Sequence, residues 1–439
     1  MKGLKYILLL AVLFTLGACQ RSQEERNRIL KVYNWADYID EDVLAEFPDW
    51  YKEQTGEDIE VIYQTFDINE IMLTKIERGH EDFDVVCPSE YIIERMMKKD
   101  MLQPINRDFR NTPDYIPNLA PYIQEELNKM SFDERKVTDY AVAYIWGTAG
   151  VLYNKGLVTE EEALTCGSLW NPKFNNKILM KDSYRDCYGL SIIYANTERL
   201  QKGEVTVEQL MNDNSKDAIV MAEEYLKMMK PNIAGWEADF GKEMMTKGKA
   251  WMNFTWSGDA VWAIEEAAEV GVTLDYYVPD EGSNVWFDGW VIPKYAQNVK
   301  AARYFINFMC RSDIALRNMD AIGYVSAVAT PEVLEAKIND ELESAIDASY
   351  FFGPGAESVK IDAVQYPDRK VIERCAMMHD SGARTEQMLE MWARVKGEVV
   401  KPWVLIVISV TLLALLVLGI RRKMIKRRRR ARRLHRPRK

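Results

Sequence analysis

Only three histidines occur in 439 residues, His80, His379 and His435, and none has a further ligand at the spacing a metal site requires. The chain also lacks a G-x-S-x-G elbow, a Walker A loop and a G-x-G-x-x-G turn, so nucleophilic, phosphoryl and dinucleotide chemistry are each without their usual machinery. Paired carboxylates for glycoside chemistry are not excluded, because their separation is a three-dimensional property. Beyond Cys19 lie Cys87, Cys166, Cys187, Cys310 and Cys375, an odd and unevenly spaced set with no C-x-x-C pair, which is no disulfide framework. Internal repeats and low-complexity linkers are missing as well. Nothing in this inventory asks for catalysis, a metal or a cofactor.

Both ends carry membrane signals. Lys2 and Lys5 precede an apolar run from Tyr6 to Leu16 and then Leu16-Gly17-Ala18-Cys19, the pattern of a signal peptide. The last four residues resemble the bacterial lipobox, with Gly17 where Ala or Ser is commoner. That resemblance implies a lipoprotein-type signal over 1–19 and lipidation of Cys19. At the other end, Trp403 to Ile420 is eighteen residues without a charge, long enough for a transmembrane helix. The tail 421–439 holds thirteen Lys or Arg and no acid, which the positive-inside rule puts in the cytoplasm. A solvated or nucleic-acid-binding tail is the alternative, and direct abutment on the apolar span favours anchoring.

The formal charge of −10 conceals a division along the chain. With the tail's thirteen cations, Lys2, Lys5 and Lys401 set aside from the 57, there remain 41 Lys and Arg between Gln20 and Val400 against all 67 acids, a balance of −26. A region this acidic repels nucleic acid and favours cationic ligands, although net charge biases binding without defining a site. A 48% hydrophobic content at this length suffices for a large core and two or three folding units.

From Ile29 strand and helix patterns alternate. ILKVYNW reads as a strand, DVLAEFPDWYKEQTG as a helix interrupted near Pro48 and ended by Gly56, and EDIEVIYQTF as a strand. Asp67-Ile-Asn-Glu70 has capping-box spacing ahead of a helix over IMLTKIERG, FDVVCPS is a short buried strand, and EYIIERMMKKD is a helix. This rhythm predicts a parallel sheet flanked by helices, with ligands held beyond the carboxyl ends of its strands. A second unit starts at AVAYIWGTAGVLYN, 141–154, and continues through strand ILMKDS, helix DAIVMAEEYLKMM, strand KAWMNFTWSGD and helix AVWAIEEAAE. LDYYVPDEGSNVWFDGWVIP, 274–293, reads as extended chain returning to the first unit, followed by helix KAARYFINFMCRS and the last globular helices between Ala356 and Val400. Two lobes joined by chain crossings fit this order better than separate beads.

The stretch KVYNWADYID, 31–40, ends a strand in rings, an amide and a carboxylate just before a helix. The pairing of ring and acid recurs at Trp256-Ser-Gly-Asp259 and Trp286-Phe-Asp288. A lone Trp is ordinarily core. Three such pairs at strand ends of an acidic region are better read as ring faces that attract ammonium groups and carboxylates that neutralise them. A slot of that kind suits a flexible, linear, multiply charged amine, a polyamine.

Tyr33-Asn-Trp35-x-Asp-Tyr38, Val85-Val-Cys-Pro-Ser89-x-Tyr91, Tyr144-Ile-Trp-Gly147, Trp256-Ser-Gly-Asp259, Trp286-Phe-Asp288 and Ile322-Gly-Tyr324 follow the order and approximate spacing of a known family. From about Leu30 to Lys396 the chain resembles the spermidine/putrescine-binding proteins of ABC importers. The resemblance implies an α/β, type II periplasmic-binding-protein fold with two discontinuous lobes closing about a hinge, here 28–140 with 284–322 and 141–283 with 323–400. It implies ring walls and a rim from Trp35, Tyr38, Trp256, Trp286 and Tyr324, a principal ammonium partner in Asp288, a second acid in Asp186, and a polar edge from Ser89 and Tyr91. Asp37 and Asp259 resemble the pattern of putrescine-preferring members. Ser183 stands where spermidine binders have an Asp, and Met378 where they offer a Gln, which points to a diamine, since a buried ammonium without partners is costly. Asp37 and Asp182 also suit helix capping, and Ser89 a cap for the helix at Glu90.

The implied function is the binding subunit of an importer, extracytoplasmic and membrane-anchored, delivering putrescine or spermidine to permease and ATPase subunits. The alternative is a membrane-anchored polyamine-sensing ectodomain that signals through the C-terminal helix, against which the nineteen-residue tail is too short for an output domain. An enzyme acting on amines is a distant third.

Overall fold

The structure, a computed structural model, describes residues 25–397 apart from 131 and 239. Cys19 with its signal sequence, the apolar span 403–420 and the basic tail 421–439 lie outside the described residues. A large compact unit extends through Glu386, and a short one begins at Gln387, its described part being the remainder of the helix Thr385–Lys396.

Twelve strands are described: β1 (Ile29–Trp35), β2 (Glu60–Phe66), β3 (Val85–Val86), β4 (Leu102–Gln103), β5 (Ala141–Asn154), β6 (Ile178–Lys181), β7 (Ile233–Glu237), β8 (Met252–Trp256), β9 (Leu274–Tyr277), β10 (Ser283–Pro293), β11 (Val325–Ser326) and β12 (Cys375–Ala376). Their order is β2-β1-β3-β10-β5-β8-β6-β7, with β4 and β12 on β10, and β9 and β11 on β5. The parallel sheet expected from the strand–helix rhythm is correct for β1 with β2 and β3 and for β6 with β7 and β8. The returning strand β10, however, runs antiparallel to both β3 and β5, so the sheet is mixed.

All fourteen residues of β5 are buried, and it serves two neighbourhoods. Residues 141–148 pair with β10 and 149–153 pair with β8. Between Asp288 and Gly289 the register shifts, because Tyr144 is an extra residue on β5.

The helix Glu41–Thr55 continues through Pro48, contrary to the interruption expected there, and ends at Gly56 in the left-handed conformation, φ 75°. The lost hydrogen bond is outweighed by tertiary packing, since Phe47 and Trp50 lay their rings against Phe308, and Tyr51 against Tyr304. The capping box at 67–70 does not form: Ile68 is the N-cap of Asn69–Gly79 and makes no side-chain bond.

One hydrophobic core joins β1, β3 and the first half of β5 to Val325, Val333, Phe351 and Tyr366, while a second gathers Leu152, Leu179, Met245, Ala263 and Tyr276. Val325, Val333, Phe351 and Tyr366 reach the first core because β11 pairs with the first half of β5 and Phe351 stacks on Trp146. The five cysteines from Cys87 to Cys375 are free thiols. No helix among the described residues is long and apolar enough to cross a membrane.

Candidate functional site

Strand ends and helix starts converge on one group of rings and acids. β10 presents Trp286 and Asp288 on one face by simple alternation. β8 ends at Trp256 directly before the helix Ser257–Glu269, which carries Asp259 in its first turn. β6 ends at Lys181, ahead of the helix Tyr184–Ala195 with Asp186 in its first turn, and Ser89 precedes the helix Glu90–Lys98. Each helix N-terminus favours a carboxylate beside it.

Asp288 is 5% exposed. Its Oδ1 accepts a hydrogen bond from the Ser89 hydroxyl at 2.6 Å and its Oδ2 one from the Tyr38 hydroxyl at 2.8 Å. Burial lifts its pKa to about 6, against the opposing pull of these two hydroxyls and Trp35. No cation among the described residues acts on it. Ser89 occupies an N-cap position without a side-chain cap bond, so its hydroxyl serves Asp288.

The rings form a continuous run. Tyr38 meets Tyr324 at 5.5 Å, Tyr324 meets Trp286 at 5.8 Å, and Trp286 meets Trp256 at 6.4 Å, each edge to face. Two glycines make this packing possible. A Cβ on Gly258 would lie 2.2 Å from the Tyr324 ring, and one on Gly147 would lie 2.8 Å from the Trp286 ring.

Two further acids close the other side. Asp186 accepts from the Trp256 indole at 3.2 Å and from the Asn284 amide at 3.0 Å. Asp259 instead holds a cation: Lys181 Nζ is 2.5 Å from its Oδ2, and Lys242 Nζ 3.5 Å from its Oδ1. Burial raises the Asp259 pKa, but these two lysines and a Tyr324 hydrogen bond outweigh it and hold the carboxyl below its usual range. For Lys181, burial disfavours the ammonium, while Asp259 and Glu237 overcome it and raise the pKa.

Of the residues expected from sequence, Tyr38, Ser89, Trp256, Asp259, Trp286, Asp288, Asp186 and Tyr324 are thus brought together. Trp35 lies beside them, half-buried and tilted against Phe66 at 4.6 Å. Tyr91 is reached through Asn69, whose amide donates to the Ser89 hydroxyl at 2.9 Å and to the Tyr91 hydroxyl at 3.2 Å. Asp37 is exposed with φ 51°, and Asp40 rather than Asp37 caps the following helix. Asp182 is exposed too, and Ser183 is the N-cap that accepts from the Asp186 backbone at 3.4 Å. Met378 is engaged by Arg185, whose Nε lies 3.4 Å from its sulfur.

Sequence reasoning missed Lys181, Glu90 and Asn284. Lys181 had a signal, a charged residue completing an otherwise apolar buried strand, ILMK. Glu90 is 1% exposed with one carboxyl oxygen unpartnered, and burial together with the Asp288 charge pushes its pKa well above the carboxylate range. A surface depression lined by Trp50, Tyr115, Arg311 and Glu332 contains none of these residues.

Residues 48–345 match the family model of bacterial extracellular solute-binding proteins. The spermidine/putrescine-binding periplasmic protein of Escherichia coli is 26% identical over 391 residues, 89% of this chain and 97% of that protein. The putrescine-binding periplasmic protein SpuD of Pseudomonas aeruginosa is 27% identical over 399 residues, again 89% and 97%. A Listeria monocytogenes structure provisionally assigned to a spermidine/putrescine ABC transporter superposes with a TM-score of 0.66 at 31% identity, covering 84% of this chain and 99% of that one. The chain belongs to the bacterial extracellular solute-binding proteins, a family of binders rather than enzymes.

Proposed function

We propose that this protein captures a polyamine, putrescine ahead of spermidine, and delivers it to the permease and ATPase subunits of an ABC importer. The observation that carries the reading is Asp288: a buried carboxylate that meets neutral groups and no cation among the described residues, at the end of a run of aromatic rings. Such a group is costly until a cation joins it, and ring faces supply the remaining attraction. The names of the relatives support the same ligand class. The proposed binding set is Trp35, Tyr38, Ser89, Tyr91, Asp186, Trp256, Asp259, Trp286, Asp288 and Tyr324, with Asp37 at the exposed rim and Asp259 contributing as the Lys181-paired acid that bounds the slot.

The proposed lobes centre on the two cores, one on β1 to β3 with 325–366, the other on β6 to β9, with β5 and β10 as the shared hinge strands. Membrane attachment through 403–420 and a lipid on Cys19 belongs to this reading, as does an extracytoplasmic location.

Isothermal titration calorimetry of the purified full-length protein with putrescine, cadaverine, spermidine and spermine tests it. Truncating one partner of a buried charge pair costs roughly 2–5 kcal/mol, so Asp288→Ala is expected to weaken binding by at least about thirtyfold. Absence of heat with all four amines would sink the polyamine assignment.

A further inference from the structure

We propose that Lys181 is a resident ammonium that fills one amine position of the site and thereby restricts the ligand to two charges. The inference rests on the polyamine reading and adds a specificity determinant to it.

Lys181 is 1% exposed, and its Nζ is surrounded as a bound amine would be. It lies 2.5 Å from Asp259 Oδ2, 2.5 Å from the Ala238 carbonyl, 3.4 Å from Glu237 and 4.5 Å from the centroid of the Trp256 ring. A carboxylate, a carbonyl and an indole face are the partners an alkylammonium seeks. Trp256 and Asp259 are also the ring and the acid of the W-S-G-D stretch, so the chain's own side chain occupies what the sequence alone offers to a ligand. Lys242 adds a second, more distant cation to the same carboxylate, at 3.5 Å and from the surface.

Counting charge then fixes the ligand. Asp288 is bonded by two hydroxyls, and Asp186 by an amide and an indole. Neither pairs with a cation among the described residues. Burial and the Asp288 charge raise the Glu90 pKa and disfavour a further negative charge there, and Arg185, the buried guanidinium nearby, is bonded to Ser381, the His379 carbonyl and Met378. Within the ring cluster, Asp288 and Asp186 are thus two acids without a counter-charge among the described residues, and a linear diamine supplies two. A triamine brings a third ammonium to a carboxylate that is already paired, which leaves that ammonium desolvated without a partner.

The test compares full-length wild-type protein with Lys181→Met and with the double variant Lys181→Met/Asp259→Asn, titrating putrescine and spermidine by calorimetry and following folding by thermal melts. Wild-type protein is expected to prefer putrescine. Lys181→Met uncovers the Trp256 face and leaves Asp259 with only the more distant, surface Lys242, shifting the spermidine-to-putrescine affinity ratio upward by about tenfold or more, the scale of one buried ion pair. The double variant is expected to lose that gain, because the freed carboxylate is gone. A wild-type preference for spermidine overturns the proposal without any variant, and so does an unchanged ratio in a folded Lys181→Met protein. If neither amine binds wild-type protein, the polyamine reading itself fails.

Discussion

At the scale of single residues, Asp288 couples function to pH. An unfolded Asp titrates near ~3.9, whereas burial holds this one at about 6 in the folded protein. Between those values the folded state binds more protons than the unfolded state, so this group's contribution to stability falls as pH rises through the window and its cost is complete above about 6. Replacing it by Asn is therefore expected to stabilise the ligand-free protein at neutral pH by up to about 3 kcal/mol while removing amine binding. Urea denaturation of both proteins at pH 5 and pH 7 (about one unit below and above the folded value) measures the difference. A cationic ligand has the opposite preference, for ionised Asp288. Amine affinity should accordingly fall by about tenfold per pH unit below the folded value, and calorimetry in buffers of different ionisation heat should register proton release on binding. A flat affinity profile across that range would assign the principal ammonium contact to another acid.

At the scale of elements, the fit between the helix Ser257–Glu269 and the Tyr324 ring depends on a missing side chain. A methyl on Gly258 meets that ring at 2.2 to 2.4 Å, so the ring or the helix must move. Gly258→Ala is expected to destabilise the protein by roughly 1–3 kcal/mol, the cost of overpacking, and to weaken amine binding by displacing Tyr324. Thermal melts and titration of intrinsic tryptophan fluorescence separate the two effects; normal affinity in a destabilised protein would exclude Tyr324 from the ligand contact. The same elements mark what is legible in a sequence. β5 and the helix start at Glu90 are legible because apolar runs are local signals, whereas the helix read as starting at Ala260 begins three residues earlier, at Ser257. The antiparallel return of β10 is not, since strand direction is decided by partners far along the chain. Pro48 misleads for a similar reason: the rings that hold its helix together sit on a distant one, Val299–Met309. Within the site, Asp288, Trp286 and Tyr324 stand in readable motifs. Lys181 is invisible as a partner of Asp259, because 78 residues separate the two and only the parallel pairing of β6 with β8 brings them together.

At the scale of the whole molecule, the balance of −26 between Gln20 and Val400 acts on a ligand before it touches any residue. Attraction of this kind reaches about 30 Å at 10 mM salt and about 8 Å at physiological ionic strength. Stopped-flow association of a polyamine should therefore slow by several-fold between those conditions, more steeply for spermidine than for putrescine, while dissociation from the buried ring cluster changes little. Equal salt dependence for the two amines would mean that the acidic surface plays no part in capture. The extra residue at Tyr144 has a consequence of another kind. Along β10, the residues before and after the bulge are counted against β5 in two different phases, offset by one. Deleting residue 144 would give the two strands an unbroken ladder while leaving the existing partners in place, Asp288 opposite Ile145 and Gly289 opposite Ala143. The binding face is thus written in the pairing frame that Trp286 and Asp288 share with Gly147 and Ile145, and what the extra residue adds to that frame is the local twist of a strand one residue too long for its partner.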